Sequence, residues 1–170
     1  MEDALLIIYF ISLTILFGFG IHGLVMLYYY GKTQKIVNPE EKIPDKLPKV
    51  TIQLPLYNEY YVVERLINAV CNIEYPRELL EVQVLDDSTD ETVDLAKKLV
   101  EDYCGNGFDI KYVHRVNREG YKAGALKEGL KTAKGEFIAI FDADFVPKKD
   151  FLLKTIPHFQ DSNVGMVQTQ

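Results

Sequence analysis

Short apolar segments alternate along most of the chain with longer segments in which apolar residues recur at helical spacing. The apolar segments have the length and composition of β-strands and cover residues 50–54, 81–85, 110–113 and 136–141. The helical spacing occurs between them, over residues 62–70, 92–103 and 123–133. A short helix over residues 151–159 and the start of a fifth strand over residues 164–169 continue the pattern. Strict alternation of this kind predicts an α/β fold with a mostly parallel sheet and helices on both faces.

Turn and cap residues mark the predicted ends of these elements. Pro55 is expected to end the first strand, because proline cannot donate to a sheet ladder. Asn58 is a candidate N-cap for the first helix, and Ser88 with Glu91 has the spacing of a capping box before the second. Gly135 is expected to close the third helix.

The N-terminal part of the chain has a different pattern. From Ala4 through Gly31 there is no charged residue, and a helix of that length would span about 42 Å, more than the hydrocarbon core of a bilayer. Lys32 and Lys35 follow the run, which predicts one transmembrane helix with the rest of the chain on the cytoplasmic side. A signal peptide fits less well, because the run is long and no basic segment precedes it; a buried core helix is the other alternative. Residues 32–49, rich in proline and charge, are predicted to be a linker.

The overall charge narrows the class of partner. The net charge is −6, and the sequence pI of about 5.1 argues against nucleic acid as a partner, because phosphate binding requires a basic face. The two cysteines, Cys71 and Cys104, have the spacing of neither a metal site nor a disulfide framework.

Polar residues follow the predicted strands where those strands end, at residues 55–59, 86–90 and 142–144. In an extended chain Asp142 and Asp144 point to the same face, about 7 Å apart. Two such carboxylates repel each other, and a divalent cation between them removes the repulsion. Mg²⁺ and Mn²⁺ prefer oxygen ligands and often bridge to a substrate diphosphate, so the pair predicts a metal–diphosphate site. Asp142 has a second possible role as a partner of a ribose hydroxyl, and a solvated loop is the structural alternative for both.

Other polar residues at the same sheet edge have both a functional and a structural interpretation. Lys122 can neutralise a diphosphate as a point charge, or it can be a solvated lysine at a helix start. Tyr57 can offer its ring to a nucleobase, and Glu59 can make a polar contact or simply occupy the first turn of a helix. Asp86 or Asp87 can accept hydrogen bonds from a base, although aspartate also favours caps and turns.

Four motifs in this order resemble those of the family 2 glycosyltransferases. The likeness is greatest to the membrane-bound, cellulose-synthase-like branch that includes glucomannan and mannan synthases, and it covers roughly residues 50–170. The motifs are LPLYNE at 54–59, QVLDDSTD at 83–90, GYKAGAL at 120–126 and FDADF at 141–145.

The resemblance implies a GT-A fold, which is a Rossmann-like nucleotide-sugar-binding domain, over residues 50–170. By the same resemblance Pro55, Tyr57 and Glu59 would line the nucleotide pocket. Asp87, with Asp86 beside it, would read the base.

The resemblance also implies the metal site and the reaction. Lys122 would lie near the diphosphate, and Asp142 and Asp144 would hold the nucleotide sugar and its Mn²⁺ or Mg²⁺. The implied reaction moves a hexose from a UDP- or GDP-sugar to a polysaccharide or lipid acceptor with inversion. The family's general base and acceptor-site motif lie further along the chain and would fall beyond Gln170. The domain is therefore expected to be truncated at its C-terminal end, to bind donor and to be inactive alone.

Two alternatives remain open at this point. The chain can be a non-catalytic, membrane-tethered module that binds nucleotide sugars. More remotely, an apolar strand followed by Asp142-x-Asp144 is similar to the nucleophile motif of haloacid-dehalogenase phosphohydrolases, in which Asp142 would be the nucleophile.

Overall fold

The computed structural model of the protein describes residues 2–33 and 43–169. These form two compact units, which meet in sequence between residues 41 and 42. The first unit is helix α1, Glu2–Thr33, which is long enough and apolar enough to cross a membrane. The predicted span, residues 4–31, lies within it. Residues 34–42, which make up much of the predicted linker, lie outside the described residues.

The second unit contains a four-stranded parallel sheet with strand order β3-β2-β1-β4. The strands are β1 Val50–Leu56, β2 Leu80–Asp86, β3 Ile110–His114 and β4 Phe137–Ile140. The helices are α2 Tyr60–Cys71, α3 Thr92–Gly105, α4 Tyr121–Leu130 and α5 Phe151–Thr155, with 3₁₀ turns at Arg77–Leu79 and Ile156–Gln160. The α/β fold with a parallel sheet is confirmed.

The two faces of the central strands differ in character. On one face Ile52, Leu54, Val82 and Val84 join a core cluster with the apolar side of α2. The other face is polar and equally inaccessible to solvent, and its residues are Thr51, Gln53, Glu81 and Gln83. Gln53 Nε2 donates to Gln83 Oε1 at 3.0 Å, so the polar side chains pair along the sheet. Hydrogen bonds between its members stabilise this buried face, whereas Gln53 Oε1 is buried without a partner among the described residues.

Glu81 is the charged member of this polar face. Its carboxylate accepts hydrogen bonds from Thr51 Oγ1 at 2.7 Å, from Lys111 Nζ at 2.6 Å and from the Lys134 backbone N–H at 2.7 Å. Burial alone would raise the pKa of Glu81, but these hydrogen bonds outweigh it and hold the pKa below its usual value. The buried charge is therefore compensated.

Helix α4 lies against the polar face through Gly129. A Cβ atom at this position would lie 2.6 Å from Gln53 Nε2 and 2.7 Å from Gln83 Oε1. Glycine therefore allows α4 to approach the sheet closely. Lys122 lies in the first turn of the same helix, so this packing helps to place it.

The predicted end of the first strand is wrong by two residues. Pro55 lies inside β1, opposite Leu85, and the strand continues to Leu56. The ladder between β1 and β4 stops at Gln53. Pro55 therefore has no β4 residue opposite it, and the ladder does not require the N–H that proline lacks.

Both predicted helix caps are also wrong. Asn58 has a positive φ of 55° and precedes the N-cap position of α2. Its side-chain carbonyl accepts a hydrogen bond from the Thr89 N–H at 2.9 Å, and its own N–H donates to Ser88 Oγ at 2.8 Å. Asp90 Oδ1, and not Ser88, receives an N–H at the start of α3, from Thr92 at 3.0 Å. Asn58 and Ser88 therefore tie two loops together.

Two further predictions fail after α4. The helix ends at Leu130 and not near Gly135, whose N–H donates to Thr51 Oγ1 at 2.8 Å. Residues 164–169 form no strand. Instead Met166 and Val167 line an apolar groove beside β4 without a ladder to it.

Candidate functional site

The sequence-predicted site residues, except Asp86, line one cavity at the carboxyl edge of the sheet. The cavity has a volume of about 310 Å³ and lies where β1, β2 and β4 end, which is where open parallel sheets bind ligands. Its lining residues are Pro55, Leu56, Tyr57, Glu59, Asp87, Arg118, Lys122, Ala125, Asp142, Ala143 and Asp144.

The acidic pair directly follows β4. Phe141 and Ala143 are buried, whereas Asp142 and Asp144 are exposed, so the backbone alternates apolar and acidic side chains between the core and the cavity. The pair does not lie on an extended strand, as the spacing argument assumed: residues 143 and 144 form a turn in which the Phe145 N–H donates to the Asp142 carbonyl at 3.0 Å. Lys122 Nζ donates to Asp142 Oδ1, and both side chains are more than half exposed. Asp144 contributes a second carboxylate to the same cavity wall.

The donor atoms at this wall fit a divalent cation that a substrate also holds. Within residues 2–33 and 43–169, no group of three or more His, Cys, Asp or Glu side chains is arranged to hold a metal alone. Mg²⁺ and Mn²⁺ accept one or two protein carboxylates and complete their coordination with waters and substrate phosphates. Asp142 and Asp144 supply that number of carboxylates.

Asp87 lies in the cavity wall and is fixed by Arg115. Arg115 Nε donates to Asp87 Oδ1 at 2.7 Å, and Nη2 donates to Oδ2 at 2.5 Å. The two side chains are only 4% and 13% exposed, so this two-point pair lies largely out of water. The bond to Asp87 raises the pKa of Arg115 further and keeps the guanidinium charged.

Asp86 is fully buried and does not line the cavity. Its carboxylate accepts hydrogen bonds from the Tyr112 hydroxyl at 2.6 Å and from the Ser88 N–H at 2.9 Å. Burial, and then the bond to Asp86, raise the pKa of Tyr112, so this hydroxyl remains a neutral donor. These contacts assign Asp86 a structural part in the loop, and its predicted contact with a base stays a prediction.

Arg115 also holds the loop that leads into α4. Its guanidinium donates to the Glu119 carbonyl at 3.1 Å and to the Tyr121 carbonyl at 3.0 Å. The loop turns through positive φ angles at Gly120 (71°) and Tyr121 (50°). A Cβ at Gly124 would lie 1.9 Å from the Glu119 carbonyl oxygen, so glycine lets the loop pack against the first turn of α4.

Arg118 is a second arginine that sequence reasoning missed. Its guanidinium lies 3.2 Å from the centroid of the Tyr57 ring and 5.2 Å from that of Tyr121. The loop carries no apolar periodicity, and an arginine in such a loop is usually solvated, so the sequence offered no signal for either Arg115 or Arg118. Glu59 also lines the cavity, and its carbonyl accepts the first hydrogen bonds of α2.

Solved structures with this fold confirm the class of domain. The mannosyltransferase PcManGT from Pyrobaculum calidifontis, solved in complex with GDP-Man and Mn²⁺, superposes with a TM-score of 0.72 at 32% identity over 85% of this chain and 42% of that one. S. aureus TarS 1–349 in complex with UDP superposes with a TM-score of 0.56 at 29% identity over 67% of this chain and 32% of that one. The domain therefore has the GT-A type of fold that the motifs imply.

The family follows from the sequence. The family model described as glycosyl transferase family 2 matches residues 51–170, so the chain belongs to this family. A probable glucomannan 4-beta-mannosyltransferase 11 of Oryza sativa subsp. japonica is 48% identical over 128 residues, which are 72% of this chain and 22% of that protein. Glucomannan 4-beta-mannosyltransferase 2 of Arabidopsis thaliana is 44% identical over 147 residues, 82% of this chain and 27% of that protein. The chain thus spans about a quarter of the length of these relatives.

Proposed function

We propose that this chain carries the donor-binding part of a membrane-anchored glycosyltransferase. The proposed reaction transfers a hexose from a nucleotide-diphosphate sugar to a polysaccharide or lipid acceptor, with inversion at the anomeric carbon. The observation that carries the proposal is the cavity in a family 2 domain where Asp142, Asp144, Lys122 and Tyr57 meet at the carboxyl edge of a parallel sheet. The family match also favours this reaction over phosphohydrolase chemistry at Asp142.

The proposed contacts to the nucleoside come from the first two strand ends. Asp87, whose carboxylate is held in place by Arg115, accepts hydrogen bonds from the edge of the base, and Tyr57 offers its ring face. Pro55 and Glu59 complete the wall beside the ribose. A carboxylate that is already fixed loses little conformational entropy when a base binds, which favours affinity.

The proposed contacts to the diphosphate and metal come from α4 and the acidic pair. Lys122 neutralises the diphosphate, and its present bond to Asp142 shows that the two side chains can reach the same point. Asp144 and Asp142 would hold Mn²⁺ or Mg²⁺ together with the donor. When bound, the metal would act as a Lewis acid on the departing nucleoside diphosphate.

The relatives and neighbours make GDP-mannose the favoured donor. The curated relatives are named as mannosyltransferases, and PcManGT was solved with GDP-Man and Mn²⁺. TarS binds UDP in the neighbouring structure, so UDP-hexose is the competing donor. Helix α1 would anchor the protein in a membrane, and Lys32 at its C-terminal end favours a cytoplasmic site.

Calorimetric titration of the full chain in detergent micelles tests the proposal. GDP and UDP are each titrated with and without Mn²⁺, using the wild type, Asp144→Asn and the matched surface variant Asp102→Asn. Asp102 is exposed on α3 and lies away from the cavity lining. We expect Mn²⁺-dependent binding of one nucleotide that is lost in Asp144→Asn and kept in Asp102→Asn.

The other outcomes are informative in different ways. If a folded wild type binds neither nucleotide, the donor-site proposal is wrong. If it binds nucleotide equally well without metal and in Asp144→Asn, the metal assignment is wrong, and a non-catalytic nucleotide-sugar-binding module becomes the better description.

A further inference from the structure

Arg118 differs from the other cationic side chains at the cavity because it contacts aromatic rings and not a carboxylate. Lys122 is paired with Asp142, and the Arg115 side chain that supports the wall is paired with Asp87. Arg118 lines the cavity but makes no ion pair with any described carboxylate; its guanidinium rests on aromatic rings instead. The cavity therefore contains one arginine whose planar set of donors is available to an anion.

The guanidinium of Arg118 covers the ring face of Tyr57 on which a nucleobase would stack. Tyr57 is the aromatic residue lining the cavity in the described part of the chain, and the guanidinium covers its ring at 3.2 Å from the centroid. A cation over a tyrosine ring is held more weakly than a guanidinium that donates two hydrogen bonds to a phosphate. The ring and a diphosphate thus compete for the same side chain.

The backbone around Arg118 is well fixed, which confines any movement to the side chain. Arg115 holds the carbonyls of Glu119 and Tyr121, and the Tyr121 N–H donates to the Arg118 carbonyl at 3.0 Å. A long side chain on a fixed backbone can change rotamer without moving the loop.

We propose that Arg118 binds the diphosphate of the donor, and that its guanidinium stacks on the ring of Tyr57 when no nucleotide is bound. The base takes the ring face of Tyr57, and the displaced guanidinium turns to the diphosphate beside Lys122. Arg118 is then a donor-binding residue that couples base stacking to phosphate binding. This inference rests on the proposed function, and its test separates the two.

The test compares a nucleoside with its diphosphate on variants of the full chain in detergent micelles. Guanosine and GDP, and in parallel uridine and UDP, are titrated with Mn²⁺ into the wild type, Arg118→Met and Arg118→Lys. Methionine replaces the unbranched apolar stem of arginine and can pack near the rings without a charge, so the fold is expected to persist. Lys127→Met is the matched control, because Lys127 is exposed on the outer side of α4 and does not line the cavity.

For Arg118→Met we expect roughly tenfold to 100-fold weaker binding of the diphosphate, the range for losing a charged hydrogen bond. Binding of the nucleoside should be unchanged or tighter, because the ring of Tyr57 is no longer covered by a cation. Arg118→Lys should give an intermediate loss, because lysine keeps the charge but not the two-point geometry. Lys127→Met should bind both ligands as the wild type does.

Two results would overturn the inference while the donor site survives. One is wild-type affinity of Arg118→Met for the diphosphate. The other is an equal loss for nucleoside and diphosphate, which would make Arg118 a structural support of Tyr57. Failure of the wild type to bind any nucleotide would instead remove the proposed function and this inference together.

Discussion

The ion pair between Asp87 and Arg115 allows a quantitative test of how the cavity wall is built. Both side chains are nearly inaccessible to solvent, and they share two hydrogen bonds of 2.7 and 2.5 Å. Removing one partner of a buried pair leaves the other charge without compensation, which typically costs about 3–5 kcal/mol. Because this pair borders a cavity, we expect Asp87→Asn to cost about 3 kcal/mol, the lower end of that range.

The double variant separates the pair from its surroundings. Arg115→Met also removes the hydrogen bonds to the carbonyls of Glu119 and Tyr121, so it should cost at least as much as Asp87→Asn. Once Arg115 is absent, replacing Asp87 by asparagine removes an unpaired buried charge. The double variant should therefore be close in stability to Arg115→Met alone, with a coupling free energy of at least about 2 kcal/mol.

Native-state hydrogen exchange, read by mass spectrometry, is the assay. Peptides that span β1 and β2 report the free energy of opening of the domain, whereas a circular dichroism signal would also contain a large contribution from α1. A cost of about 3 kcal/mol should raise the opening constant of these peptides roughly 100-fold. Glu128→Gln is the control, because its exposed pair with Lys131 should contribute less than about 1 kcal/mol. If the effects of Asp87→Asn and Arg115→Met add to within about 0.5 kcal/mol, the pair does not stabilise the wall as described.

Two further predictions concern a glycine and a buried carboxylate. Gly124→Ala should displace the loop and weaken nucleotide binding at least roughly tenfold, because the new Cβ would meet the Glu119 carbonyl, whereas Gly105→Ala, with nothing within 4 Å, should leave calorimetric affinity unchanged. The folded pKa of Glu81 is depressed, so its contribution to stability is present above a pH of about 4.5 and is lost as the pH falls through the folded value. The stability advantage of the wild type over Glu81→Gln in exchange experiments should thus shrink below that pH; an advantage that grows on acidification would contradict the assignment.

The parallel sheet and the gathering of polar residues at its carboxyl edge could be predicted because they depend on patterns that the backbone enforces. Short apolar segments formed the strands, and the carboxyl ends of parallel strands brought Tyr57, Asp87 and Asp142 to one edge. Lys122 joined them because α4 begins at that edge.

The buried polar face could not be predicted from the same pattern. Gln53, Glu81 and Gln83 alternate with apolar residues, which in a strand normally indicates a face in water. Their burial depends on tertiary partners, such as Lys111 and the N–H of Lys134, that sequence spacing does not relate to them.

Loop geometry was the second feature that could not be predicted from the sequence. Asn58 is a residue type that favours helix caps. In the structure it has a positive φ, and its polar groups are satisfied by Ser88 and Thr89 in the next loop. Arg115 and Arg118 could not be distinguished from solvated loop residues, because Asp87, which pairs with Arg115, and Tyr57, which lies under Arg118, are far away in sequence.

Mapping the footprint of the nucleotide on the protein tests the central claim most directly. Hydrogen exchange of the full chain in detergent micelles is followed with and without GDP or UDP in the presence of Mn²⁺. We predict protection concentrated in peptides that cover residues 54–59, 86–89, 118–125 and 141–145, because these peptides contain the residues that line the cavity. Protection that is absent from these peptides at saturating nucleotide, or confined to other parts of the domain, would contradict a donor site at the carboxyl edge of the sheet.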